Sequence, residues 1–378
     1  MEHTAPAVFE LGFLLLLAAL AGKAARRFGL PAVIGYLAVG VVVSPFTPGY
    51  VANRDQLAIL ADVGVVLLLF EVGIEINPVR LAKEGRRLLI LVPIQVAITW
   101  GASAAACMAV GISPAGAAII GLSIAMSSSV VVVNITRSRR RTTDPKTDQM
   151  LLSWSVLQDL LGVTAALILL VVIGIGGRSL GTAALQLVAF LVLTTIAAFV
   201  IPWVLRRLKA EHDLFLLLSV GSGLLLAGVG SQFFGIPLAL AAFVAGLAIT
   251  ESEVAGEARE RMLPFRDVFA VMFFVSLGTL VDPGTLGAAL PLALLFIGLV
   301  IAAKVLPAWI EARFGHVPGR PLQLALGLGQ VGEFSYVLAA LALGAGLISA
   351  QVQAALIAAV VVTIAASSVL VRLFPKPT

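Results

Sequence analysis

Gly121-Leu122-Ser123-Ile124-Ala125-Met126-Ser127-Ser128-Ser129 breaks an apolar run that is otherwise long enough to cross a bilayer. A second run breaks in the same way at Gly327-Leu328-Gly329-Gln330-Val331-Gly332-Glu333-Phe334-Ser335. Small residues inside membrane helices often do no more than permit close packing. Two polar, glycine-rich interruptions at corresponding places in two halves of a chain favour another reading. They predict a pair of broken helices that cross near the bilayer midplane. Irregular backbone at that depth survives only where protein or a water-filled cavity satisfies it.

The composition around these stretches agrees. Sixty per cent of the residues are hydrophobic and 12% are charged, against about 25% charged in a soluble domain. The chain reads as an all-α polytopic membrane protein with about thirteen transmembrane helices. They are expected at roughly 8–25, 30–44, 57–77, 88–110, 114–135, 150–176, 181–205, 213–231, 236–251, 263–280, 286–310, 321–346 and 350–373. The shorter ones fit a bilayer through tilt and breaks. Every lysine and arginine except Arg54, Arg178 and Lys304 falls in alternate connections, in the C-terminal tail or, for Arg266 and Arg372, at the adjoining end of a span. The positive-inside rule then places the N-terminus outside and the C-terminus in the cytoplasm, with the protein integral to the plasma or inner membrane. In this pattern the run Arg137 to Arg141 is a topology determinant, not a nucleic-acid patch. The first span lacks a basic leader and reads as a retained helix.

Spans one to six (about 8–176) and eight to thirteen (about 213–373) form two six-helix repeats, with 181–205 as the linker helix. A displacement of seven helices inverts the second repeat relative to the first. Inverted repeats of this kind belong to alternating-access carriers.

The charges inside the spans carry the chemistry. Gln158-Asp159 interrupts an apolar run from Leu151 to Ile175. A carboxylate at such depth costs about 2.5–3.5 kcal/mol on insertion scales and usually lines an ion or proton path. With 1.5 Å of rise per residue, Lys304 in the eleventh span lies at similar depth and is placed to act as its counter-charge. A carboxylate there holds a dehydrated cation or a proton, never both, which is the minimal chemistry of exchange. Ser127 and Ser128 offer oxygens of the type that hard monovalent cations need. Glu333, with Gln330 one turn earlier, either touches the ion or neutralises helix-end dipoles at the break. Asp62, Glu71, Glu75, Glu251 and Glu253 are expected in a solvated funnel or at the interface. Cys107 reads as packing.

His3, His212 and His316 fall outside the spans without metal-ligand spacing, and no H-E-x-x-H occurs. With no nucleophile–base constellation in the spans either, the chain is not expected to be an enzyme or to need a cofactor. Two other readings stay open. A gated cation channel would need a filter of repeated carbonyls, and none is evident. A sodium-coupled organic-anion carrier would favour a roomier crossing without Lys304.

Nearly the whole chain resembles the monovalent cation:proton antiporter-2 family, and within it the Kef-type potassium efflux transporters. The resemblance rests on Gly35-Tyr36-Leu37, Leu60-Ala61-Asp62-Val63-Gly64-Val65-Val66, Gly73-Ile74-Glu75-Ile76-Asn77-Pro78 and Ala125-Met126-Ser127-Ser128. Further along it rests on Gln158-Asp159, Ala245-Gly246 with Glu251-Ser252-Glu253, Phe273-Phe274 with Gly278, Lys304, and Gly332-Glu333-Phe334. It implies a homodimer that exchanges a monovalent cation, potassium before sodium, for protons, with Asp159 as the ion- and proton-carrying carboxylate. Related electrogenic exchangers often carry a second acid where this chain has Gln158, so the expected exchange is electroneutral. Kef-type proteins usually carry a cytoplasmic nucleotide-binding domain after the last helix. Residues 1–378 include no such domain, so gating by nucleotides or glutathione adducts is not expected of them.

Overall fold

Long apolar runs separated by proline, glycine and short polar loops have few ways to satisfy their backbone in lipid other than as helices. The computed structural model describes residues 5–30, 32–48, 53–75, 87–137, 142–174, 180–236, 238–250, 252–279, 283–332 and 334–373. In chain order the elements begin with α1 (Ala5–Arg27), α2 (Ala32–Val42), α3 (Arg54–Glu75), α4 (Leu88–Ala109), α5 (Pro114–Ala125) and α6 (Ser129–Arg137). Next come α7 (Pro145–Ile173), α8 (Leu180–Arg207), α9 (His212–Phe234), α10 (Leu238–Ile249) and α11 (Ala255–Thr279). The last are α12 (Pro283–Leu299), a π-helical segment (Val300–Val305), α13 (Leu306–Phe314), α14 (Pro321–Leu328), α15 (Phe334–Gly344) and α16 (Ala350–Leu370).

Among the described residues, nine helices are long and apolar enough to cross a membrane. Each of the thirteen expected spans falls on one helix or on consecutive helices. The fifth divides into α5 and α6 and the twelfth into α14 and α15, at the two polar interruptions. The eleventh is α12 and α13 joined through the π segment, which sequence reasoning did not foresee. Apolar side chains point outward from α1 and α8, with Phe9 at 71% and Phe199 at 74% exposure. The molecule is an integral membrane protein, and those faces meet lipid or other membrane-embedded protein instead of water.

Local signals set the helix ends. Ser113 caps α5 by accepting from the Gly116 N–H, with Pro114 in the first turn. Gly235, at φ +62°, closes α9 in the left-handed conformation. Asp144 precedes α7, and its carboxylate accepts from the backbone N–H groups of Lys146 and Thr147, each at 3.0 Å. Partial burial pushes the Asp144 carboxyl up. The Thr147 and Lys146 hydrogen bonds and the Arg320 guanidinium outweigh it and hold the group below its ordinary value.

The chain divides into two compact units. The first comprises Met1–Ala21, Tyr36–Pro78 and Leu170–Leu280. Leu14, Ala18, Val39, Val43, Leu57, Met272 and Val275 form a core cluster in it. Glycines bring its helices into backbone contact. A methyl on Gly40 would lie 2.1 Å from the Val275 carbonyl oxygen, and Gly278 faces Gly40 in return. A methyl on Gly246 would lie 2.1 Å from the Phe70 oxygen, with Gly73 opposite. Several of the glycines that carry the family resemblance are therefore contact points between helices, as small residues are in membranes.

Glu71 corrects an expectation. It does not line a solvated funnel: it is only 2% exposed, and two arginines of α11 hold it. Arg259 donates through Nε to one carboxylate oxygen, and an Arg266 η nitrogen reaches the other at 2.9 Å. Desolvating a carboxylate without partners is unfavourable enough that the charges must stay together. Glu71→Gln is therefore expected to cost about 3 kcal/mol, read as a lower melting temperature in detergent. A variant that melts like the parent would remove this cluster from the account of stability. Asp62 and Glu253 are exposed, whereas the Glu75 side chain and Glu251 lie outside the described residues.

The second unit comprises Gly22–Gly35, Val79–Leu169 and Val281–Thr378. Here α4 packs on α5, α12 on α16, α13 on α14, and α5 on α15. Both interruptions and every described candidate site residue belong to this unit. Cys107 is fully buried in α4, in keeping with packing.

Candidate functional site

The two breaks meet. Helix α5 stops at Ala125, and Met126-Ser127-Ser128 runs without helical structure before α6 begins. Helix α14 stops at Leu328, and Gly329 to Gly332 is likewise non-helical. The Gly332 N–H donates to the Met126 carbonyl at 2.9 Å. The Gln330 side chain lies along Ser128: its oxygen accepts from the Ser128 N–H at 2.9 Å and its nitrogen donates to the Ser128 carbonyl at 3.2 Å. The Ser127 hydroxyl donates to the Leu328 carbonyl at 2.8 Å. These bonds satisfy backbone that the broken helices leave without helical partners. Gly332 is required for the approach, because a Cβ there would lie 2.8 Å from the Ser127 carbonyl carbon.

Lys304 is wholly buried, and its ammonium closes the crossing. It donates to the carbonyls of Ile124 at 3.0 Å, Met126 at 2.8 Å and Gln330 at 2.7 Å. Three N–H donors thus meet three acceptors drawn from both breaks. The C-terminal ends of α5 and α14 both carry partial negative charge, so a cation between them is favourable. The expected pairing with Asp159 takes a different form. Lys304 lies within electrostatic range of the Asp159 carboxylate, while backbone carbonyls accept its hydrogen bonds.

Asp159 and Gln158 are both buried, at 9% and 0% exposure. A Cβ on Gly162 would sit 2.4 Å from the Met126 sulfur, so α7 presses against the first break. Gly162 is three residues beyond Asp159 and four beyond Gln158, and positions so spaced share a helix face. Asp159, Gln158, Lys304, Ser127, Ser128 and Gln330 are therefore gathered at the crossing. Both serines are engaged in structure here, since Ser128 also caps α6 by accepting from the Val131 N–H at 3.2 Å. Glu333 lies outside the described residues.

Sequence reasoning missed the partners of these groups. Gln158 donates through its amide nitrogen to Gln95 on α4. Gln95 donates to Thr99 at 2.7 Å, and Thr99 to the Ala303 carbonyl at 2.6 Å. The signal was available: Gln95, Thr99 and Ser103 recur every fourth residue in an apolar helix, and all three are fully buried. Thr363 and Ser367 of α16 were missed too. They bond the Val331 N–H at 3.2 Å and the Leu326 carbonyl at 2.7 Å.

This arrangement of two broken helices, a buried carboxylate and a buried lysine can be set against known proteins. The transmembrane sodium/hydrogen exchanger family matches residues 12–375. The chain belongs to that family. A curated exchanger-type relative is "Putative cation/proton antiporter YbaL" of Escherichia coli (strain K12), 31% identical over 391 residues, covering 100% of this chain and 70% of the relative. Among solved structures, the sodium proton antiporter MjNhaP1 from Methanocaldococcus jannaschii, at pH 8, superimposes with a TM-score of 0.74. It is 19% identical, and the match covers 99% of each chain. At that identity the likeness establishes the exchanger fold and leaves the ion to other arguments.

Proposed function

We propose that this chain is a secondary antiporter that exchanges one monovalent cation for one proton by alternating access, with potassium preferred to sodium. The observation that carries the reading is Asp159, a buried carboxylate on α7 whose helix face presses on the first break. Family membership and the cation/proton naming of the E. coli relative support it. Potassium is put first because of the Kef-type motifs.

The stoichiometry follows from Gln158 and Lys304. Gln158 carries no proton to release at physiological pH. Lys304 has its three donors committed to backbone carbonyls, so it holds the crossing together while Asp159 alternates between cation and proton. One titrating carboxylate gives one-for-one, electroneutral exchange. The working form is a homodimer in the cell membrane, N-terminus outside and C-terminus cytoplasmic.

The test is proton flux in proteoliposomes, with potassium and sodium titrated separately and the membrane potential clamped at zero and then at about 100 mV. That potential is worth about 2.3 kcal/mol per charge moved, so an electrogenic cycle would change rate markedly. The expected result is saturable, cation-dependent flux that ignores the clamp. Flux that follows the clamp would overturn the one-for-one cycle, and flux with neither cation would redirect attention to an organic substrate.

A further inference from the structure

The buried polar chain from Ala303 to Gln158 has a direction, because its far end is an obligate acceptor. The residue four beyond Ala303 is Pro307, which brings no N–H, so the Ala303 carbonyl at the π segment has no α-type donor four residues on. Thr99 on α4 supplies one, from Oγ1 at 2.6 Å, and the same hydroxyl lies 2.9 Å from the Gln95 carbonyl. A hydroxyl has one proton. Whichever carbonyl takes it, the Thr99 oxygen is left to accept from Gln95, which must therefore turn its NH2 group to Thr99 at 2.7 Å. The Gln95 oxygen is then left facing Gln158, which must donate its own NH2 in turn. An amide orientation is usually assigned instead of observed, but here a backbone carbonyl fixes all three groups in sequence. The Gln158 side-chain oxygen ends turned away from the chain, buried and without a hydrogen-bond donor.

We infer that Gln95 and Thr99 are positioning residues for cation binding: they lock the Gln158 amide with its oxygen free as a ligand beside Asp159. This rests on the reading of Asp159 as the cation-binding carboxylate. An amide oxygen adds a dipole that attracts a hard cation, whereas an amide NH2 in its place would repel one. The chain also ties the orientation of Gln158 to the segment that carries Lys304, since Ala303 directly precedes it. Neither residue needs to touch the ion. Their effect belongs in binding, as with the outer partners of metal ligands, whose loss lowers affinity about 10–100-fold.

Thr99→Val keeps the shape and removes the hydroxyl, Gln95→Met removes the amide, and Thr99→Ser keeps the donor. In proteoliposomes, Thr99→Val and Gln95→Met are expected to raise the KM for potassium or sodium at least about tenfold, with kcat within about twofold. Thr99→Ser is expected to restore the parent KM. The same shift is expected in the KCl or NaCl concentration that half-maximally raises the melting temperature of the purified protein. That second readout needs no transport and reports only on folded molecules. Parent KM values in both Thr99→Val and Gln95→Met, with Asp159→Asn inactive, would overturn the positioning role and leave Asp159 in place. Normal transport by Asp159→Asn would instead remove the reading on which the inference rests.

Discussion

Asp159→Asn is expected to abolish cation-dependent proton flux, a loss of at least about a hundredfold, the lower end of what proton transfer by a positioned side chain contributes. Asparagine keeps nearly the same volume, so the packing of α7 against Met126 is retained. It carries no charge and no titrating proton, so it neither holds a dehydrated cation strongly nor exchanges it for a proton. Folding should not suffer, because a neutral amide is cheaper to bury than a carboxylate. The measurement is dye-reported flux beside a melting curve in detergent. Inactive protein with a parent-like or higher melting temperature is the expected pair of results. Transport at the parent rate would take Asp159 out of the mechanism altogether.

Lys304→Ala should show its main effect on stability. Removing the ammonium takes its donor from the carbonyls of Ile124 and Gln330, while Met126 keeps the Gly332 N–H, and each orphaned buried polar group costs about 1–3 kcal/mol. Relief from burying the charge offsets part of this, so the net loss should be about 3–5 kcal/mol, or roughly 5 °C in melting temperature for a chain of this length. Lys304→Met separates volume from hydrogen bonding: it fills the space and donates nothing. If carbonyl capture is the cause, both variants melt early. Early melting by Ala alone would assign the effect to the cavity, and parent-like melting by both would refute a structural role for the lysine.

The crossing was legible because the polar tracts around Ser127 and Gln330 interrupt apolar helices at corresponding places in the two halves, which close packing alone does not require. Asp159 and Lys304 stood out because charge is rare at that depth. The π segment was not legible: its change of register alters no composition, and Pro307 is the only trace of it. Glu71 was misread because its partners, Arg259 and Arg266, lie some 190 residues away in sequence, and no local spacing reveals them. Gln95 was passed over because a neutral amide in a membrane helix draws less notice than a charge. Its spacing from Thr99 was visible, but the acceptor at Ala303 required the fold.

The glycine seams bear on how this protein is to be engineered. Exchanging helical glycine for alanine is a routine way to stiffen a polypeptide, since it lowers the entropy of the unfolded chain. In this molecule that strategy divides sharply by address. Gly12, Gly101, Gly221 and Gly228 have nothing within 4 Å of an added methyl in their own chain and are the positions to replace first. Gly40, Gly73, Gly246 and Gly278 are seats for a neighbouring backbone, and a methyl there wedges helices apart in a layer that has no side chain to yield. Of these two groups, only the first lends itself to a thermostabilised variant.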